Sequence, residues 1–164
     1  MKLRRLRDGD VLEDGDVVLV RGGDLDSDIL SEDAVRYHSI YGVYGISVFT
    51  HFREPMQLRW LEELARITAS GAILLLTMHG QTAIDFSRLS PADYARVTQD
   101  VQRAGILVSG ANTQLDGHAE HAGEYVNVYH SADYVRRTWG QFFDVLHILP
   151  GYILHHDLVV LRKP

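Results

Sequence analysis

The run Ile73-Leu74-Leu75-Leu76 is apolar at every position and is bounded by Gly71 and Gly80. Consecutive apolar residues without polar alternation describe a short strand covered on both faces, the setting of a central strand in a parallel sheet. Two further segments read the same way. Val17-Val18-Leu19-Val20 is a buried strand running into Gly22-Gly23, and Val43 to Phe49 mixes apolar and aromatic residues as a third strand. Helix signals separate them. Ser27 caps a helix from about Asp28 to His38, and Pro55 sits in the first turn of another, with Leu58, Leu61, Leu64, Ala65 and Thr68 on one side and Ser70-Gly71 at its end. Ser90-Pro91-Ala92-Asp93 opens a third helix, with Tyr94, Val97 and Val101 inward and Gly105 as its stop. After an irregular stretch from Ile106 to Gly123, Tyr125 to Tyr129 reads as a short strand and Ser131 caps a helix through Trp139. Phe143 to Leu149 and Asp157 to Leu161 then form two strands meeting through Pro150-Gly151. This alternation predicts a three-layer α/β domain, with a mainly parallel sheet, right-handed crossovers and a C-terminal antiparallel hairpin.

One domain spanning 1–164 is the expectation for 164 residues with 46% hydrophobic content, enough to bury roughly 70% of the surface of the unfolded chain. The longest apolar run, Ala72 to Leu76, is far short of the ~20 residues that cross a bilayer. Met1-Lys2-Leu3-Arg4-Arg5 leads into acidic residues and not into an apolar signal segment, so a cytoplasmic, membrane-free protein is expected. With no cysteine, disulfides and thiolate metal sites are excluded, and a net charge of -6 disfavours nucleic acid as a partner. Arg4, Arg5 and Arg7 read as a solvated terminus, and Gly9 to Gly15 as turns.

Gly45-Ile46-Ser47-Val48-Phe49-Thr50-His51-Phe52, Trp60-Leu61-Glu62-Glu63-Leu64 and Gly71 through Gly80 together resemble the fourth strand, fourth helix and fifth strand of a class I S-adenosylmethionine-dependent methyltransferase. Val128-Tyr129-His130-Ser131, Tyr134-Val135-Arg136-Arg137, Phe143-Asp144-Val145-Leu146 and Asp157 to Pro164 are similar to that fold's last helix and closing strand pair. The likeness covers residues 43–164. It implies S-adenosylmethionine as cofactor, a small-molecule acceptor, Ser47, Phe49, Thr50 and His51 beside the cofactor, Gly22-Gly23 as the glycine turn of the first strand, and His79 or His130 near the acceptor. Residues 1–42 are atypical for that family. Between Gly23 and Val43 there is room for one helix only, so a truncated Rossmann-like fold with a five-stranded sheet follows, and no acidic residue stands where the family binds the ribose. Asp16 to Phe49 resembles instead a group of small uncharacterised bacterial open reading frames. The two likenesses meet at Gly45 to Phe49, as in a fusion joined there, natural or engineered.

Nine histidines raise a metal question, and Asp116-Gly117-His118-Ala119-Glu120-His121 offers four ligand types in one polar segment. No recognised spacing supports it, so a solvated loop or a substrate-side lid is the reading and no metal is expected. His155-His156-Asp157 reads as a structural turn. A histidine near neutral pKa suits a base for a hydroxyl or amine acceptor, which singles out His51, His79 and His130 at element ends. Tyr37, Tyr41 and Tyr44 are expected in the core, and Trp60 and Trp139 over the sheet or in a homodimer contact. Two functions follow: methyl transfer to oxygen or nitrogen of a small molecule, or a methyltransferase-derived domain without cofactor that binds a protein partner in a regulatory or toxin-antitoxin role.

Overall fold

The computed structural model describes residues 2–5, 16–21, 40–111 and 126–164. Eight strands and four α-helices lie within them, in the order β1 (Lys2–Arg5), β2 (Asp16–Arg21), β3 (Ile40–Ile46), α1 (Glu54–Ile67), β4 (Thr68–Met78), α2 (Gln81–Phe86), α3 (Pro91–Ala104), β5 (Ile106–Ala111), β6 (Val126–His130), α4 (Ala132–Thr138), β7 (Asp144–Ile153) and β8 (His156–Arg162). Six strands form one sheet in the order β1-β2-β3-β4-β8-β7, and β5 pairs with β6 in a separate ribbon. β1 to β4 are mutually parallel, while β8 is antiparallel to both β4 and β7. The sheet is therefore mixed, parallel on one side and closed by an antiparallel hairpin on the other. The expected helix at 28–38, the turns at 9–15, Gly22-Gly23 and the His118–His121 segment lie outside the described residues.

β4 shows why the apolar run matters. Its residues alternate in partnership, Leu74 with Val43 and Leu161, Leu76 with Gly45 and Val159, so these side chains share one face. That face carries the main core, in which Leu61, Leu64 and Ile67 of α1, Tyr134 and Val135 of α4, and Trp139 pack on Leu74, Leu76, Val159 and Leu161. Full burial of one such side chain contributes about 1.5–3 kcal/mol, so this layer dominates the stability of the described fold. Both α1 and α4 thus cover the same side of the sheet. The opposite face is more open, with Ile73 37% exposed, which departs from the expectation of a strand sealed on both sides.

Local chemistry accounts for most element ends. Ser90 and Ser131 cap α3 and α4 by accepting from the backbone N–H of Asp93 and Tyr134. In α1, Gln57, Leu61, Leu64 and Ile67 are buried at helical spacing, and the chain passes directly into β4 at Thr68, without the Ser70-Gly71 stop expected. Four other boundaries differ from expectation. β3 starts at Ile40 and ends at Ile46, because Ser47 takes a left-handed φ of 57° that breaks the ladder. Ile106–Ala111, expected to be irregular, is a strand that finds its partner in β6. The basic amino terminus forms β1, in parallel with β2. The hairpin turns at Leu154-His155, not at Pro150-Gly151, whose residues lie within β7 at a register shift where the Gly151 N–H donates to Asp157 Oδ1. Tyr94, expected inward, is exposed and donates to Asp85.

Gly105 ends α3 at φ 84°, and a Cβ there would lie 2.9 Å from Tyr134 Cβ. Gly71 has a similar φ of 80° with nothing within 4 Å. Gly105→Ala is expected to cost about 2–3 kcal/mol in urea unfolding and Gly71→Ala about 1 kcal/mol, since only the first adds a collision to left-handed strain. Equal costs at the two positions would refute the contact argument.

Candidate functional site at the carboxyl end of the sheet

β2 and β3 end side by side, with Arg21 in register with Ile46. Ser47 follows at its left-handed turn, and its N–H donates to Thr77 Oγ1 of β4 at 2.8 Å, which ties the turn to the neighbouring strand. Its hydroxyl lies 3.2 Å from His51 Nε2, and His51 Nδ1 lies 3.0 Å from the carbonyl of Val126. A carbonyl only accepts, so Nδ1 carries the proton and Nε2 offers its lone pair to the Ser47 O–H. Burial holds the His51 pKa below its usual value, opposed by the Val126 carbonyl, and keeps the ring neutral at pH 7. Ser47 and His51 are both half-buried, the two polar side chains of this turn that a ligand can reach.

The other residues expected there are used elsewhere. Phe49 is 2% exposed and packs on Trp139 with ring centroids 5.0 Å apart, and Thr50 is fully buried beneath β6, whose Val128 N–H donates to the Thr50 carbonyl. His130 is 1% exposed, with Nε2 2.7 Å from Gln57 Nε2, so the amide donates to a neutral ring. Burial lowers its pKa to about 3. His130 is thereby a core hydrogen-bonding group, neutral and tied to α1 through Gln57. Gln57 also donates toward the carbonyls of Phe49 and Phe52, anchoring the 49–52 turn to α1.

His79 lies just past β4, 8% exposed, and its carbonyl accepts from the His130 N–H at 2.8 Å. Its ring faces His156 at 4.9 Å and 16°, with His155 at 5.6 Å, Tyr129 at 5.8 Å and His51 at 6.0 Å. Burial, then His156, His51, His155 and His130 in that order, lower its pKa to about 3. His155 stands in the β7–β8 turn, as its sequence suggests, whereas His156 opens β8. Only the register Met78 opposite Asp157 brings His156 against His79, and no spacing along the chain announces it. Beside this cluster a cleft of about 230 Å³ is lined by Met78, Gly80, Gln81, His130, Arg136 and Asp157, below the ~300 Å³ at which drug-sized ligand pockets begin.

No protein-family profile and no curated protein matches the chain. Among solved structures it is similar to a SAM-dependent methyltransferase from Methanosarcina mazei, with a TM-score of 0.54 at 13% identity over 91% of this chain and 82% of that one. It is also similar to the pyocyanin biosynthetic protein PhzM, with a TM-score of 0.47 at 16% identity, spanning 43% of that chain. No helix among the described residues is long and apolar enough to cross a membrane. At 13% identity the first likeness is one of fold, and the chain therefore shares the mixed α/β fold of a SAM-dependent methyltransferase.

Proposed function

We propose that the chain is a methyltransferase domain of class I type that takes S-adenosylmethionine and passes its methyl group to oxygen or nitrogen of a small molecule. The observation that carries this reading is the placement of Ser47 and His51 directly past the paired carboxyl ends of β2 and β3. Open parallel sheets bind their ligands at that edge. The donor set fits a polar nucleoside ligand: the Ser47 hydroxyl, oriented by the neutral His51 ring, keeps its oxygen lone pairs for a ligand N–H or O–H, and Thr77 holds the Ser47 turn in place. When bound, the cofactor supplies an electrophilic methyl on a sulfonium. The protein's part is then orientation, because alignment of donor and acceptor carries most of the barrier reduction in such a transfer. His79, with a pKa of about 3, has too little proton affinity at pH 7 to act as base. It serves instead as a neutral, desolvated wall near the acceptor.

Calorimetric titration with S-adenosylhomocysteine tests the reading. Micromolar saturable binding is expected, weakened about tenfold by His51→Ala through loss of the bond that orients the Ser47 hydroxyl, or about 1.4 kcal/mol. Gly22→Val with Gly23→Val is expected to abolish it. One observation favours the second reading, a domain without cofactor that binds a protein. β1 to β4 pair in chain order, and the strand-order reversal that opens a ligand crevice in such sheets is not among the described strands. No binding up to millimolar ligand would select that reading.

A further inference from the structure

We propose that His79, His155 and His156 form a binding site for a zinc-type divalent cation, with a fourth position left open. One ring nitrogen from each lies within 4.8 Å of the other two, the one such group of three among the described residues. The arrangement is built by the fold and not by a flexible tail. His79 is held at the end of β4 by its backbone bond to His130, His156 begins β8 on the adjacent strand, and His155 occupies the two-residue turn between β7 and β8. Nitrogen atoms sharing a tetrahedral zinc stand about 3.3 Å apart, given Zn–N bonds of about 2.0–2.1 Å. Closing from 4.8 Å requires ring rotations, for which the half-exposed His155 on its turn has room.

A second, independent observation points to a ligand. Nδ1 of His79 and Nδ1 of His156 are both buried without a hydrogen-bond partner. Buried polar atoms are nearly always partnered, and two orphans in one cluster carry a penalty that a coordinated cation removes. Imidazole sets of this kind select zinc and its late first-row neighbours over calcium or magnesium. Phe86 stacks on the His155 ring, with centroids 5.6 Å apart. His51 is not a ligand, because both its ring nitrogens are engaged, by Ser47 and by Val126. Three histidines with an open fourth position is the arrangement of zinc sites that bind water or substrate.

The test uses the untagged full chain with cobalt(II) and zinc(II) chloride, read by visible absorption and thermal unfolding. One cobalt per chain should give the intense visible bands of a tetrahedral nitrogen site, and zinc should raise Tm with concentration. His155→Ala, at a half-exposed turn where the fold tolerates truncation, should weaken binding at least tenfold, and His156→Ala at least as much. His118→Ala with His121→Ala should leave binding unchanged. The proposal is overturned by absence of bands and of a Tm shift at millimolar metal, by unchanged affinity in His155→Ala, or by loss of binding in the His118/His121 variant.

Discussion

Lowering the pH from 7 to 4.5 is expected to destabilise the protein by up to roughly 5 kcal/mol, at up to roughly 3 kcal/mol per pH unit below pH 6. His79 and His130 are buried as neutral rings whose folded pKa values, about 3, lie below the usual 6.5. The unfolded chain therefore takes up protons that the folded chain refuses. Their contribution is fully present above pH 6.5 and is lost as the pH falls through the window down to about 3. Each group contributes about 1.4 kcal/mol per unit within that window. Against a total stability of about 5–15 kcal/mol, that loss is a third or more of the whole. Urea unfolding at pH 7.5, 6, 5 and 4.5 measures the slope. His130→Phe, which keeps a ring and removes the titration, should lower the slope by about 1.4 kcal/mol per unit. A slope unchanged in that variant would show that His130 is protonated in the native state.

Trp139→Ala is expected to destabilise the protein by about 3–5 kcal/mol, the range for removing a buried aromatic ring. Trp139 is wholly buried, packs on Phe49 at 5.0 Å and on His130 at 6.1 Å, and joins α4 to the face of the sheet that carries Leu74 and Leu161. Its indole N–H has no hydrogen-bond partner. Trp139→Phe removes that unpartnered donor while keeping most of the ring, so it should cost less than half as much as alanine. Because Phe49 lies against this ring and belongs to the turn that begins at Ser47, the alanine variant should also loosen the Ser47–His51 pair. Equal costs for the two substitutions would place the stabilisation in the indole edge and contradict the packing account.

How far the sequence foretold these features depends on the range of the interaction that sets each one. Ile73 to Leu76 was legible as a strand because its residues are apolar throughout, although only Leu74 and Leu76 are fully buried. The caps at Ser90 and Ser131 were legible because hydroxyl and backbone N–H are three residues apart. β1 was not, since Lys2–Arg5 carries no apolar run and gains its strand form from pairing with β2. The hairpin turn was misplaced for a related reason. Pro150-Gly151 has turn chemistry, but the Gly151 N–H is taken by Asp157 across the strand pair, which moves the reversal to Leu154-His155.

The site divides in the same way. Ser47 and His51 are four residues apart, and their meeting follows from one turn. Phe49 and Thr50 share that turn but point into the core, a distinction set by Trp139 and by β6. His79, His155 and His156 converge solely through the antiparallel register of β4 with β8, which no local pattern encodes.

The central claim is that a nucleoside ligand is held at the paired carboxyl ends of β2 and β3. Amide chemical-shift mapping of the isotope-labelled chain during titration with S-adenosylhomocysteine tests it most directly. Saturable shifts centred on Arg21, Ser47, Val48 and His51, with Phe143 and Leu161 unmoved, are the predicted result. Shifts confined to residues remote from that edge, or none at millimolar ligand, would contradict it.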